Sequence, residues 1–346
     1  MVFIVAYQSL MERARGFIRR HHELLWWLHS SYALLFGIVF IWLGAKDFTY
    51  LRLAIFHIAF IWLSSLFLPT LLHLPFIRLH WHERIRLVIN YFNRNFYQQL
   101  IFFLLPIYYL SATIWSRHLV FLLLLSASAV LSTMDLIYDR HISVKWGLLG
   151  LFFTFNVFVC INVMLPVLWG IPNTYALWIS ACLAVLAFAS VCYRLSGLPR
   201  QRMWMTIMIS AVLVLLITEK GRIYIPPAPL RLVRSEFGRD IIRKHKVIYQ
   251  ALDSISSFET GKICILTAIQ APLGMKEKVC HRWSINDSLT FVSPFYQVHG
   301  GRKEGFRLFT SMTIRRPLVG GVITVEIMTE GGQLIGKSNL PIRWMN

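Results

Sequence analysis

Two hydrophobic patterns divide the chain. From Leu24 to Thr218 apolar residues run in near-continuous blocks, and from Lys262 onward they alternate with polar ones. A helix needs about 20 mostly apolar residues to cross a bilayer core. By that measure the blocks Leu24–Leu43, Leu53–Leu72, Tyr97–Trp115, Leu119–Tyr138, Trp146–Trp169, Thr174–Tyr193 and Met203–Thr218 predict seven spans, the last of them short. Only Ser116, Arg117 and His118 separate the third from the fourth, which predicts an antiparallel hairpin. After residue 262 the period is two, as in half-buried strands. Strands are expected over Ile263–Ala268, Lys278–Trp283, Ser288–Val298, Gly305–Ile314, Gly321–Thr329 and Leu334–Trp344. The doublets Gly300-Gly301, Gly320-Gly321 and Gly331-Gly332 fall between them, where turns call for positive φ. The fold class expected is a membrane all-α bundle of about seven transmembrane helices, followed by a small all-β, immunoglobulin-like antiparallel sandwich.

Composition agrees with this division. The chain is 56% hydrophobic and 15% charged, against roughly 45–50% and 25% in soluble domains. That excludes a soluble enzyme, a disordered tail and a disulfide-built secreted domain. Trp26, Trp27, Trp42, Trp115, Trp146, Trp169 and Trp204 fall near the ends of blocks, at the headgroup level that suits their rings.

Basic residues orient the bundle. Arg13, Arg15, Arg19, Arg20, Arg78, Arg84, Arg86, Arg94, Arg140, Lys145, Arg194, Arg200 and Arg202 fall on one side; Lys46, Arg52 and Arg117 fall on the other. The positive-inside rule then places the N-terminus in the cytoplasm and, after an odd number of spans, the C-terminal domain outside. The expected localisation is a bacterial inner membrane, with the sandwich periplasmic. No cleavable signal peptide is expected, because Met1–Leu10 lacks a leading basic region.

Four segments follow: a cytoplasmic basic amphipathic arm (1–23), the helical domain (24–218), a Pro/Arg-rich stalk with a short helix near Ile248–Ile255 (219–256), and the sandwich (257–346). Gln8–Glu23 reads either as a helix on the anionic inner leaflet or as a charged connector. The prolines of Ile225–Pro229 cannot be helical and should run extended from the membrane. The basic residues around them, Arg231 and Arg234 included, suit lipid headgroups or an acidic envelope polymer.

The exported half carries a resemblance. Cys280-His281-Arg282-Trp283, Gly305-Phe306-Arg307-Leu308-Phe309-Thr310-Ser311, Gly321-Val322-Ile323-Thr324-Val325 and Leu334-Ile335-Gly336 resemble the bacterial family called domain of unknown function 2914. Ile323 stands where that pattern carries a tryptophan. The helical half resembles domain of unknown function 5924, through Asn95-Phe96-Tyr97-Gln98-Gln99, Leu104-Leu105-Pro106 and Asp135-Leu136-Ile137-Tyr138, with Gln99 where glutamate is expected. Both resemblances imply the layout and neither implies an activity.

Candidate chemistry is sparse. On a strand His281 and Trp283 share one face and Arg282 takes the other; a core position for Trp283 would make His281 structural. His281, Arg282, Trp283, Arg307, Arg231 and Arg234 form the candidate binding set. Cys264 and Cys280 fall on strands expected to pair, so a disulfide between them is one reading. Cys160, Cys182 and Cys192 read as small apolar fillers. Asn93, Asn95, Gln98, Asp135 and Tyr138 form a polar cluster at the cytoplasmic ends of the third and fourth spans, a helix cap or a wall of a headgroup pocket. His80 and His82, with His73 near, diverge on a helix, and no metal site is expected. No cofactor is expected either: the chain has no phosphate-cradling glycine loop and no nucleophile elbow.

The expected function is a sandwich held at the outer face that binds an envelope component or a protein partner. A membrane-embedded enzyme or flippase for a lipid-linked substrate is the rival, and a sensor is a third reading. The expected partners are the lipid bilayer, an anionic lipid or envelope component, and a protein. The net charge of +19 is split between the two halves, which disfavours nucleic acid.

Overall fold

The computed structural model describes residues 101–343, apart from 135–137, 143, 243–246 and 319. The arm, the first two expected spans, His73, His80, His82, Asn93, Asn95, Gln98 and Asp135 lie outside the described residues.

The first described helices are α1 (Ile101–Ser111) and α2 (His118–Thr133). Ser116 makes the turn between them: its hydroxyl donates to the Thr113 carbonyl (2.6 Å) and accepts from the His118 N–H (3.2 Å). Tyr108 and Phe121 meet across this hairpin with ring centroids 5.0 Å apart. A π-helical turn, Tyr138–Ile142, leads into α3 (Trp146–Trp169), α4 (Asn173–Leu195) and α5 (Arg200–Gly221).

These last three are long and apolar enough to cross a membrane. The expected span Leu119–Tyr138 is not among them, because its helix has only 16 residues. Among the described residues there are therefore three candidate spans, where the sequence led us to expect five of the seven. The last is longer than expected, at 22 residues. α3 is the most buried of the three and α5 the least. Trp204, Met208, Val212 and Leu216 on α5 are all exposed. An apolar helix left uncovered in this way needs lipid or another helix against it.

The Ile225–Pro229 segment does not run out as a stalk. Ile225 and Ala228 are buried in the helical core with Tyr108, Phe121 and Val163, while Leu230 enters the base of the sandwich. It is a strap between the two halves. The expected helix near Ile248–Ile255 is also absent; that stretch carries strands, and the sandwich begins at β1 (Arg231–Ile242), well before residue 257.

Strands β1, β2 (Val247–Ala251), β4 (Gly261–Gln270) and β8 (Phe306–Ile314) form one sheet, in the order β2-β1-β4-β8. The other runs β3 (Ile255–Ser256), β10 (Leu334–Arg343), β9 (Gly321–Thr329), β5 (Lys276–Ile285) and β6 (Ser288–Val292). β7 (Tyr296–His299) also pairs with β5, near its start, so β6 and β7 lie end to end along one edge. All pairings are antiparallel except β10 with β3. Trp283, Phe237 and Ile323 fill the distal core; Leu230, Ile269 and Met275 fill the core nearer the helices.

Candidate functional site

The His281-Arg282-Trp283 segment splits as alternation requires. His281 and Trp283 point inward and are fully buried, whereas Arg282 is exposed. The buried pair organises a polar network whose hydrogens can be traced. Trp283 Nε1 can only donate, and it donates to Thr310 Oγ1 (3.0 Å). That leaves the Thr310 hydroxyl proton for His281 Nδ1 (2.8 Å). Nε2 must then carry the imidazole hydrogen and donate to Thr267 Oγ1 (2.9 Å), which donates to the Leu308 carbonyl (3.3 Å). Every donor finds an acceptor only if the imidazole is neutral. Burial pushes His281 down from 6.5 to about 4 in the same sense. This is a structural histidine, closed off from any ligand.

The remaining candidates separate by register. Arg234, Ala268 and Arg307 are opposed across β1, β4 and β8. Two strand spacings therefore put the arginines about 10 Å apart on the outer face. Arg234 pairs with Glu236, and Arg307 donates to Glu304 (2.8 Å). Arg231 is half-buried and donates from Nε to Gln270 (2.6 Å). Arg282 lies on the other sheet, in a row with Val292, Glu326 and Lys337. The six residues do not converge.

Cys264 and Cys280 do not pair either. β4 and β5 belong to different sheets, both residues face away from the shared core, and both are free thiols. Burial raises both thiols, which keeps them protonated and unreactive. Of the polar membrane cluster only Tyr138 is described; it is half-buried, edge-on to Phe152 at 5.5 Å. The described seam between α1 and α2 is filled by aromatic rings. Among the described residues no group of His, Cys, Asp or Glu could hold a metal ion.

Two features emerge that the sequence reading missed. One is the β6–β7 edge, where Leu289, Phe291, Val292, Phe295 and Tyr296 are all exposed. The other is the joint between helices and sandwich. α4 begins at Asn173 after Pro172, which offers no side-chain cap, so its first N–H groups are orphans. Glu277 of β5 supplies the missing acceptor, taking the Asn173 N–H on Oε2 (2.6 Å). The Asn173 side-chain amide donates to the Pro227 carbonyl (3.2 Å), and that of Gln333 donates to the Ile225 carbonyl (3.0 Å). Gly170 adopts φ +66° at the end of α3, and a Cβ there would strike the Gly274 carbonyl, so the halves meet backbone to backbone. Glu277 was findable: it is in phase with Val279, His281 and Trp283, which places a carboxylate on the inward face.

Residues 4–261 match the model of a family of unknown function (DUF5924), and residues 276–341 match that of a protein of unknown function (DUF2914). Among solved structures the chain is similar to an immunoglobulin-like protein from Pseudomonas aeruginosa. The identity is 13%, over 34% of this chain and 98% of that one, with a TM-score of 0.25. No curated protein matches the chain.

Proposed function

The chain belongs to the family of unknown function DUF5924, and since that kinship brings no activity with it, we propose that it is a membrane-anchored binding module. In this reading α3, α4 and α5 cross a bacterial inner membrane and hold the sandwich on its outer face. Lys145 lies three passes before the sandwich and Arg200 and Arg202 one pass, so all three fall at the far end of the helices, and the Gly170–Pro172 turn beneath the sandwich is uncharged; this distribution supports that orientation.

The observation that carries the binding role is the β6–β7 edge. An edge strand presents unpaired backbone groups, and proteins usually blunt such edges with charge. Here Phe291, Val292, Phe295 and Tyr296 line it instead. That chemistry suits an extended segment of a protein partner, which would add a strand and bury its alternate side chains against the aromatic rings.

A photoreactive phenylalanine analogue at Phe295 of the full-length protein, in its native membrane, should yield one discrete adduct that Phe291→Lys abolishes. The same probe at Phe258, exposed in the β3–β4 connection, should yield none. Equal labelling from both positions, or none from Phe295, would overturn the reading.

A further inference from the structure

We propose that Glu277 is a proton-operated latch: with its carboxyl protonated the sandwich is clamped on the helical bundle, and loss of that proton loosens the seat. This is independent of what the β6–β7 edge binds.

Donors and acceptors do not balance at the joint. Glu277, Asn173 and Gln333 are each at most 2% exposed. Both side-chain amides spend a hydrogen on the strap carbonyls, which fixes their oxygens as the remaining atoms. Asn173 Oδ1, Thr174 Oγ1 and Gln333 Oε1 are buried and find no hydrogen-bond partner among the described residues. Two pure acceptors, Asn173 Oδ1 and Gln333 Oε1, are therefore left without a donor at the joint, the Thr174 hydroxyl has one proton to give, and the donor seated on the carboxylate is the Asn173 N–H. A protonated carboxyl keeps this bond through its carbonyl oxygen and adds a second O–H beside that of Thr174, one for each unpaired amide oxygen. An ionised one adds buried negative charge and withdraws that second O–H.

Among the described residues no cationic side chain offsets that charge, and the α4 N-terminus does so only in part. The Gly170–Thr174 turn, the strap Ile225–Pro229 and the Pro272–Met275 loop carry no charged residue. On the β9–β10 turn, Glu330 adds negative charge and is itself engaged by Lys278 (3.0 Å), which lies on the opposite face of β5. Opposite Glu277 on β7 stands Val298; next to it, exposed His299 is paired in register with Lys276 and set against Phe306. Burial pushes the Glu277 carboxyl up from 4.5 to about 7, against the pull of the Asn173 N–H.

Undocking would return Glu277 to water and its ordinary acidity. The docked group binds its proton more tightly, so docking is firmest below pH 4.5 and weakens as pH rises through about 7. A shift of that size corresponds to about 300-fold in the docking equilibrium between the two limits.

The seat can be read by hydrogen exchange of the full-length protein in nanodiscs, corrected for intrinsic rates. Protection of the Asn173–Ala176 and Gly274–Glu277 amides should fall by up to about 75-fold between pH 5 and pH 8.5, while amides around Trp283 hold theirs. Glu277→Gln, a permanent donor, should stay protected at both pH values. Equal protection of the wild-type joint at both pH values, or a Gln variant that follows the wild type, would overturn the proposal. So would loosening by a divalent-cation chelator at constant pH, which would place a metal ion where the proton is proposed.

Discussion

A single hydroxyl carries the distal core of the sandwich. Thr310 accepts the Trp283 indole hydrogen and donates to His281, so Thr310→Val leaves two buried polar groups without partners. Each such group costs about 1–3 kcal/mol, and a loss of about 2–4 kcal/mol is expected in urea unfolding of residues 221–346. Thr313→Val, exposed on the other face of β8, should change almost nothing. His281 adds a pH dependence of opposite sign to that of the joint. Its folded value lies below its ordinary 6.5, at about 4, so its stability contribution is complete above pH 6.5 and is lost as pH falls toward 4. The full loss is about 3 kcal/mol at 1.36 kcal/mol per unit. The same fragment, free of the helix joint, should show it as a falling urea midpoint between pH 7 and pH 4.5. The inward, structural place of His281 was legible from alternation alone. Glu277 obeys the same alternation, but an acid in a strand reads as solvated until its cover is known, and that cover comes from Asn173, 104 residues earlier. Nor could spacing bring Arg234 and Arg307 into one row while leaving Arg282 on the other sheet, because strand order is not written in either segment.

Strands with clean alternation and glycine-marked ends were legible as elements; β9 spans the expected Gly321–Thr329. β1 was not, and its register shows why. A bulge between Leu232 and Arg234 shifts the phase, and after it Phe237 is the one aromatic among inward positions while Arg234, Glu236 and Asp240 face out. Charge and a broken period together made a core strand look like a stalk. Expected strand Ser288–Val298 proved to be two, β6 and β7, interrupted at Ser293-Pro294. The β5–β6 hairpin closes on Asn286 and Asp287, with φ of 48° and 64°, a two-residue turn of the type that matches strand twist. Asn286 also bridges to the next connection: it donates to the Gly320 carbonyl and accepts the Val322 N–H, both at 2.9 Å. Asn286→Ala should cost about 1–3 kcal/mol in urea unfolding, by breaking both bonds and placing a side chain less suited to positive φ. Asp287→Ala, which forfeits neither of those bonds, should cost less.

At the scale of the molecule, the two family segments do not coincide with the two folded halves. The DUF5924 match ends at residue 261, where β4 starts, and the DUF2914 match begins at residue 276, where β5 starts. The first therefore contributes β1, β2 and β3 to the sandwich, and the second contributes β5 to β10. Of the four strands in the β2-β1-β4-β8 sheet, only β8 comes from the second segment. A fragment that keeps β4 but starts at residue 257 would still lack β1 and β2, exposing the buried flank of β4 and stripping Phe237 from its edge-on contact with Trp283. A sheet reduced to two strands with an open apolar edge is a template for aggregation. Residues 257–346 should accordingly be insoluble, or molten with no dispersed amide spectrum. Residues 221–346, which restore β1, β2 and the strap residue Leu230, should give a soluble domain with a cooperative urea transition. The comparison separates two accounts of the chain. If the shorter fragment folds cooperatively, the sandwich is a detachable module on a linker and the interlocking of the segments is incidental. If only the longer one folds, sandwich and strap are one cooperative unit that needs no helices to form, so loosening at the helix joint leaves the core around Trp283 intact.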